Sequence, residues 1–440
     1  MTGGSLTAPP LVLAHGLGGR SDLPLPPALA VLGGGAAVVL SFVALGALWH
    51  SSRLSAETGR PLPGALARLV DSTVVRRAAQ ALALAITVMV VAVALFGPAE
   101  TSQNAAPWVL YITFWCGLVP ASVLLGPVWR YVNPLRLLHA GLERVAGGGA
   151  RPLPARLGYW PAVGWLAGFV WLELVAPGRA DPRLVGGLIV TYALVNLTAA
   201  LVYGAAWFGR GDGFEVYSSL LGRLAPLGRR ADGRLVLRVP LSGLAGLRPE
   251  PGLVAVACVL VGSTAFDGLT RTRAWSGSVD PSSVTAGTLG LAGCIAGVAA
   301  VYVLGVRASA QMSGGDRRTL PGLFAGSLIP IALGYTVAHY FSFFLLEGQV
   351  AYILASDPFR TGLDLFGTAG NRIDYTLVGP TLVAAVQVGA IVVGHVAGTV
   401  VAHDRAVGLF PPAVARRGQL PVLVVMVALT CTGIALLFGG

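Results

Sequence analysis

Ten runs of apolar residues, each long enough to approach or cross the hydrocarbon core of a bilayer as a helix, divide the chain. They fall at about residues 28–49, 78–97, 108–128, 160–176, 184–208, 252–269, 286–306, 321–346, 380–402 and 420–438. The pattern predicts an all-α fold: one polytopic transmembrane helix bundle of about ten spans, filling residues 28–440. Residues 1–27 precede it as an extracytoplasmic segment. They hold no basic start followed by an apolar stretch, so the first span is expected to act as the insertion signal.

Arginine segregates between alternate loops. One set carries Arg53 to Arg77, Arg130 to Arg156, Arg210 to Arg248, Arg307 to Arg318 and Arg405 to Arg417. The other set, near Pro98–Pro107, Arg179–Arg183, Arg271–Ser283 and Glu347–Gly379, is poorer in arginine. Cytoplasmic loops are enriched in basic residues, so the first set is expected inside and both termini outside. Within the first set, residues 133–145 and 214–226 read as short amphipathic helices in the membrane interface, and Leu235–Arg238 as an extended stretch. The long outer loop, residues 347–379, mixes Glu347, Asp357, Asp364 and Asp374 with Tyr352, Phe359, Phe366 and Tyr375. It reads as an ordered lid.

Composition supports the pattern and narrows the partners. Hydrophobic residues make up 55% of the chain and charged residues only 11%, with a mean hydropathy of +0.75; a soluble domain carries about 25% charged residues. The net charge of +11 is all arginine in short loops rather than a basic face interleaved with aromatics. The expected partners are therefore the lipid bilayer and anionic headgroups at the Arg-rich cytoplasmic loops, not nucleic acid. Cys116, Cys258, Cys294 and Cys431 lie inside apolar runs without a CxxC pair, as small buried hydrophobes do.

There is no P-loop, HExxH, GxSxG elbow, strand-linked GxGxxG or EF-hand loop, which removes the best-defined ATPase, zincin, serine-hydrolase and dinucleotide readings. No cofactor is specified; bis-histidine haem ligation needs only two histidines at matching depth. The chemistry that remains is intramembrane. An ionisable residue inside a span is costly and is a functional hypothesis by default. His339 in the eighth run and Gln387 in the ninth sit at the same depth below the outer boundary and are expected to share a pocket. Asp267 and Glu173 lie in the same half of the membrane, and Tyr335 and Ser342 continue a polar stripe with His339. For Asp267 and Glu173 the competing reading is an interfacial helix end. A ladder of His395, Thr399 and His403 runs inward to Asp404. His395 alternatively bonds a neighbouring helix, and the His403–Asp404–Arg405 group alternatively marks a charged helix end. Gly394 and Gly398 would admit a closely packed neighbour.

Several segments carry a family resemblance. Gly126-Pro127-Val128-Trp129-Arg130-Tyr131-Val132-Asn133-Pro134, Phe214-Glu215-Val216-Tyr217-Ser218, Ser356-Asp357-Pro358-Phe359, Asp364-Leu365-Phe366-Gly367-Thr368-Ala369 and Ala402-His403-Asp404-Arg405-Ala406 resemble those of actinobacterial membrane proteins labelled fenitrothion hydrolase. The opening Ala14-His15-Gly16-Leu17-Gly18-Gly19-Arg20 is similar to theirs as well. The resemblance implies a membrane hydrolase of organophosphate-type esters, without a catalytic motif that transfers residue by residue.

Three functions follow as expectations. The first is a permease or proton/solute pathway through Asp267, His339, Gln387 and His395. The second is a metal-assisted hydrolase, with His339, Asp267 and His15 as candidate ligands. The third is a membrane subunit of a redox or assembly complex. The small-molecule substrate is not specified.

Overall fold

The structure, a computed structural model, describes residues 26–146 and 150–439. The chain is an all-α bundle. Ten helical passes form it: α1 (Pro27–Leu48), α2 (Thr73–Phe96), α3 (Ala105–Leu125), α4 (Trp160–Leu174), α5 (Pro182–Tyr203), α6 (Leu253–Thr270), α7 (Val284–Ser313), α8 (Leu328–Leu346), α9 (Pro380–Leu409) and α10 (Leu420–Phe438). Nine of these, among the described residues, are long and apolar enough to cross a membrane. The exception is α4, whose 15 residues extend about 22 Å against the roughly 30 Å of a hydrocarbon core. It nevertheless runs from one end of the bundle towards the other. Tyr159 N, just before it, bonds Pro251 O at the Arg-rich end, and Trp171 near its finish bonds Thr288 at the start of α7.

Most helices are apolar on every face, as expected where lipid rather than water surrounds them. Their starts are set locally. Ser72, Asp181 and Ser283 cap α2, α5 and α7 with side-chain oxygens, while proline occupies the first turn of α1, α4, α5, α9 and α10. The tightest seam joins α8 to α9. A Cβ on Gly394 would stand 2.7 Å from Pro330 O, and one on Gly398 2.7 Å from Ser327 O, so both positions require glycine. This antiparallel seam carries His339 and Gln387 to the same level.

The first and last passes pack side by side and antiparallel, with Cys431 Sγ against Val31 O. Arg273 N bonds Gly439 O, which places the 271–283 loop at that same end. The Arg-rich loops gather at the other end. There a three-stranded antiparallel sheet, β1 (Arg60–Pro61), β2 (Leu227–Arg229) and β3 (Leu235–Leu237) in the order β1-β3-β2, ties the first loop to the 207–252 segment. The strand at Leu235–Leu237 is the extended stretch expected there; its partners were not.

Two features depart from a simple bundle. Val109–Cys116 in α3 is π-helical, with Gly117 N bonding Ile112 O five residues back. The segment expected as an interfacial helix at 214–226 is instead the helix Gly213–Leu221, buried among α3, α4 and α8. Its aromatic face explains the difference: Phe214 packs edge-on against Phe114 and Phe169, and Tyr217 stacks on Trp115. The helix Pro134–Ala146, by contrast, is half-buried between α2 and α5 with Leu142 exposed.

Candidate functional site

The Arg-poor end holds the polar groups singled out in the sequence. Asp267 sits one turn before the end of α6, and Arg271 at that end reaches back to its Oδ2 at 3.2 Å. His339 of α8 presents Nε2 to the same carboxylate. Asp267 and His339 are each only 7% exposed. The neighbouring residue, Tyr340, donates its hydroxyl to Glu173 Oε1 of α4 at 2.8 Å, and its ring stands edge-on to His339 at 5.7 Å. Three helices from separate parts of the chain thus meet in one layer: acid and base from α6 and α8, a second acid from α4. Glu173 is fully buried rather than interfacial.

The histidine's partner is Asp267, not Gln387. The α8–α9 seam does set the two side chains at one level, but the carboxylate across the bundle takes the imidazole. Gln387 is buried, and its Nε2 has no hydrogen-bond partner among the described residues; the same holds for Ser342 Oγ. Buried polar atoms are nearly always satisfied by protein or water, so these two mark places where a hydrogen-bonding group is called for. Tyr335 leaves the expected stripe: its hydroxyl donates to Leu429 O of α10 at 2.6 Å.

Deeper along α9, His395 lies fully buried with Nδ1 2.8 Å from Ile391 O. A carbonyl only accepts, so Nδ1 carries the proton and Nε2 of the neutral ring keeps its lone pair, with no hydrogen-bond partner among the described residues. Tyr335 stands edge-on to this ring at 5.5 Å. The rest of the ladder is structural. Thr399 bonds back to His395 O, and His403 is held between Gln419 Oε1 and Trp49 O. Asp404 accepts from Trp49 Nε1, Ser52 Oγ, Arg53 N and Leu54 N, which clamps the end of α9 to the segment after α1.

A second polar cluster at the Arg-rich end was missed by sequence reasoning. Asp212 and Glu215, at the start of the buried helix Gly213–Leu221, are fully buried together with Asn133. Arg136 grips Glu215 with two nitrogens, at 2.7 and 2.5 Å; Asn133 Nδ2 bonds Asp212 at 2.8 Å, and Tyr192 of α5 donates to Asp212 at 2.5 Å. Burial, and next the charge of Glu215, pushes the Asp212 carboxyl up to about 6. The charges looked like ordinary loop charges. The available signal was the capping pattern Asp212-Gly213-Phe214-Glu215 leading into an apolar run.

Of the metal-ligand candidates, Asp267 and His339 meet, whereas His15 lies outside the described residues. Among the described residues no group of three or more His, Cys, Asp or Glu side chains is placed to hold a metal ion. The 347–379 loop, at the Arg-poor end, is internally organised. Ser356 Oγ donates to Asp364 at 2.6 Å, and Asp357 accepts from Thr361 N and Gly362 N at 2.8 and 2.9 Å. Within it the helix Gly348–Ala355 packs on α3, while Leu363, Leu365 and Phe366 are exposed.

No family model, curated protein or solved structure matches this chain.

Proposed function

We propose that the protein is a membrane permease whose pathway moves a proton through the layer formed by Asp267, His339, Tyr340 and Glu173. The observation that carries this reading is the His339–Asp267 contact: a base and an acid from different spans, buried together, with a second acid one hydroxyl away. Such a pair can pass a proton between its members, because an imidazole nitrogen and a carboxylate oxygen can each carry it. Gln387 and Ser342 supply hydrogen-bonding atoms beside it, and the Nε2 lone pair of His395 offers an acceptor further along the bundle. Interrupted helices around a polar layer suit a pathway, since non-helical backbone at membrane depth is tolerated where protein or a cavity satisfies it. The π-helical turn of α3 and the buried helix Gly213–Leu221 both border this region. In this reading the Arg-poor end faces outward, as the arginine bias favours.

Proteoliposomes with an internal pH-sensitive dye test it. An imposed pH gradient should collapse faster than in empty vesicles, and Asp267→Asn or His339→Ala should return the rate to the empty-vesicle value. His403→Ala should retain flux. Wild-type rates in both of the first two variants would remove the pathway, as would a wild-type protein no faster than lipid alone.

A further inference from the structure

Away from that layer, at the Arg-rich end, a groove of about 640 Å³ runs between the first turns of α2 and the helix Pro134–Ala146. Thr73 and Arg77 form one wall, Arg144 closes the other, and Leu137, Leu138 and Leu142 line the apolar side. Neither Arg77 nor Arg144 makes an ion pair among the described residues; Arg77 bonds only the neutral Gln80 side chain. Of the acids next in sequence to the lining residues, Glu143 is turned to the opposite side of its helix, 3.9 Å from His139, and Asp71, just before α2, pairs with Arg229. At the floor, a Cβ on Gly141 would meet nothing within 4 Å, so the groove is open there. The surrounding surface is apolar and uncovered: Val74 and Val145 are 78% and 89% exposed.

Two unpaired guanidinium groups over a leucine wall match an amphiphile with an anionic head. Guanidinium binds phosphate through paired N–H donors and is weakly hydrated, which suits a site at the headgroup level. A soluble phosphate would satisfy the arginines and leave the leucines unused. We propose that this groove binds one anionic phospholipid, its phosphate between Arg77 and Arg144 and its acyl chains along Leu137, Leu138 and Leu142. The site is separate from the Asp267–His339 layer and stands whether or not that layer conducts protons.

Native mass spectrometry of the detergent-purified full chain, titrated with phosphatidylglycerol or phosphatidylcholine, tests the assignment. Phosphatidylglycerol should be retained in preference to phosphatidylcholine. The paired variant Arg77→Gln/Arg144→Gln should lose about tenfold in retention, equivalent to about 1.4 kcal/mol. Gly141→Phe should lower retention with both arginines intact, because the ring fills open space rather than a packed one. Arg318→Gln, an exposed arginine at the same end, should leave retention unchanged. Equal retention of the two lipids, undiminished binding in the paired variant, or displacement of the lipid by inorganic phosphate alone would each overturn the proposal, the last in favour of a soluble anion site.

Discussion

The two buried polar clusters are built from similar residues and differ in how completely they are closed. At the Arg-rich end, Arg136, Asn133 and Tyr192 saturate Asp212 and Glu215, and both acids are fully enclosed. At the Arg-poor end, Asp267 and His339 are slightly exposed, Arg271 is a quarter exposed, and Gln387 Nε2 and Ser342 Oγ have no hydrogen-bond partner among the described residues. A fully satisfied network in a low-dielectric interior fixes one conformation. A network with open valences beside a titratable pair can exchange hydrogen bonds with something that passes. Burial of charge therefore does not by itself mark a site of action; what separates the two is whether the hydrogen-bonding is finished.

The largest expected effect tests that separation directly. Arg136→Ala strips Glu215 of its cation inside the protein and should cost about 3–5 kcal/mol, read as a lowered unfolding midpoint in detergent. His339→Ala leaves Asp267 with Arg271 and should cost well under half as much; equal losses would erase the distinction. Next, Gly394→Val forces side-chain atoms against the α8 backbone at the level between the clusters, with a cost of about 1–3 kcal/mol by overpacking. If stability is unmoved, the α8–α9 seam does not set the height of the outer layer.

A smaller effect follows from Asp212. Unfolded, its carboxyl releases its proton near 3.8; folded, it holds the proton up to about 6. The folded state therefore binds more protons in that interval. Its contribution to stability is fully present below about pH 4 and is lost as pH rises through about 6. Asp212→Asn keeps a side-chain oxygen for the Glu215 N–H and should flatten this part of the thermal midpoint against pH. Unchanged pH dependence would show that the cluster shares its proton differently. The smallest effect concerns the 347–379 loop, where the Ser356 hydroxyl foremost holds the exposed Asp364 carboxyl below its usual range. Ser356→Ala should speed protease cleavage near residue 364 while leaving the global midpoint in place.

The same contrast governs what could be read from the chain. Asp267, His339 and Glu173 were legible as candidates because charge inside an apolar run is costly and depth placed them in one half of the membrane, although for the two acids an interfacial helix end fitted the same pattern. Their pairing was not legible: depth alone matched His339 to Gln387, while lateral arrangement, which no local pattern encodes, delivered Asp267. His403 and Asp404 read as a charged helix end at the headgroups, whereas they are buried in a clamp with the segment after α1, a long-range contact that the local pattern does not encode. Asp212, Glu215 and Arg136 stayed hidden because they lie between spans, where polar residues ordinarily meet water. Only the fold of the loop back into the bundle takes them out of it. The nine membrane-length helices followed from hydropathy, but the brevity of α4 and the π-helical turn of α3 did not, since both depend on packing.

The crowding of arginine at one end also has a dynamic meaning. Carrying one elementary charge across a membrane potential of about 100 mV changes the energy by about 2.3 kcal/mol. The Arg-rich loops hold most of the 30 basic residues of the chain. Turning the bundle over against a potential negative on that side would meet that term many times over, on top of the cost of dragging each guanidinium through hydrocarbon. The sheet β1-β3-β2 and the Asp404 clamp tie the first of these loops to the 207–252 segment and to the end of α9, so those three cannot cross singly. With the Arg-rich end on the negative side, the potential and the hydrocarbon thus act together to hold the bundle in that orientation.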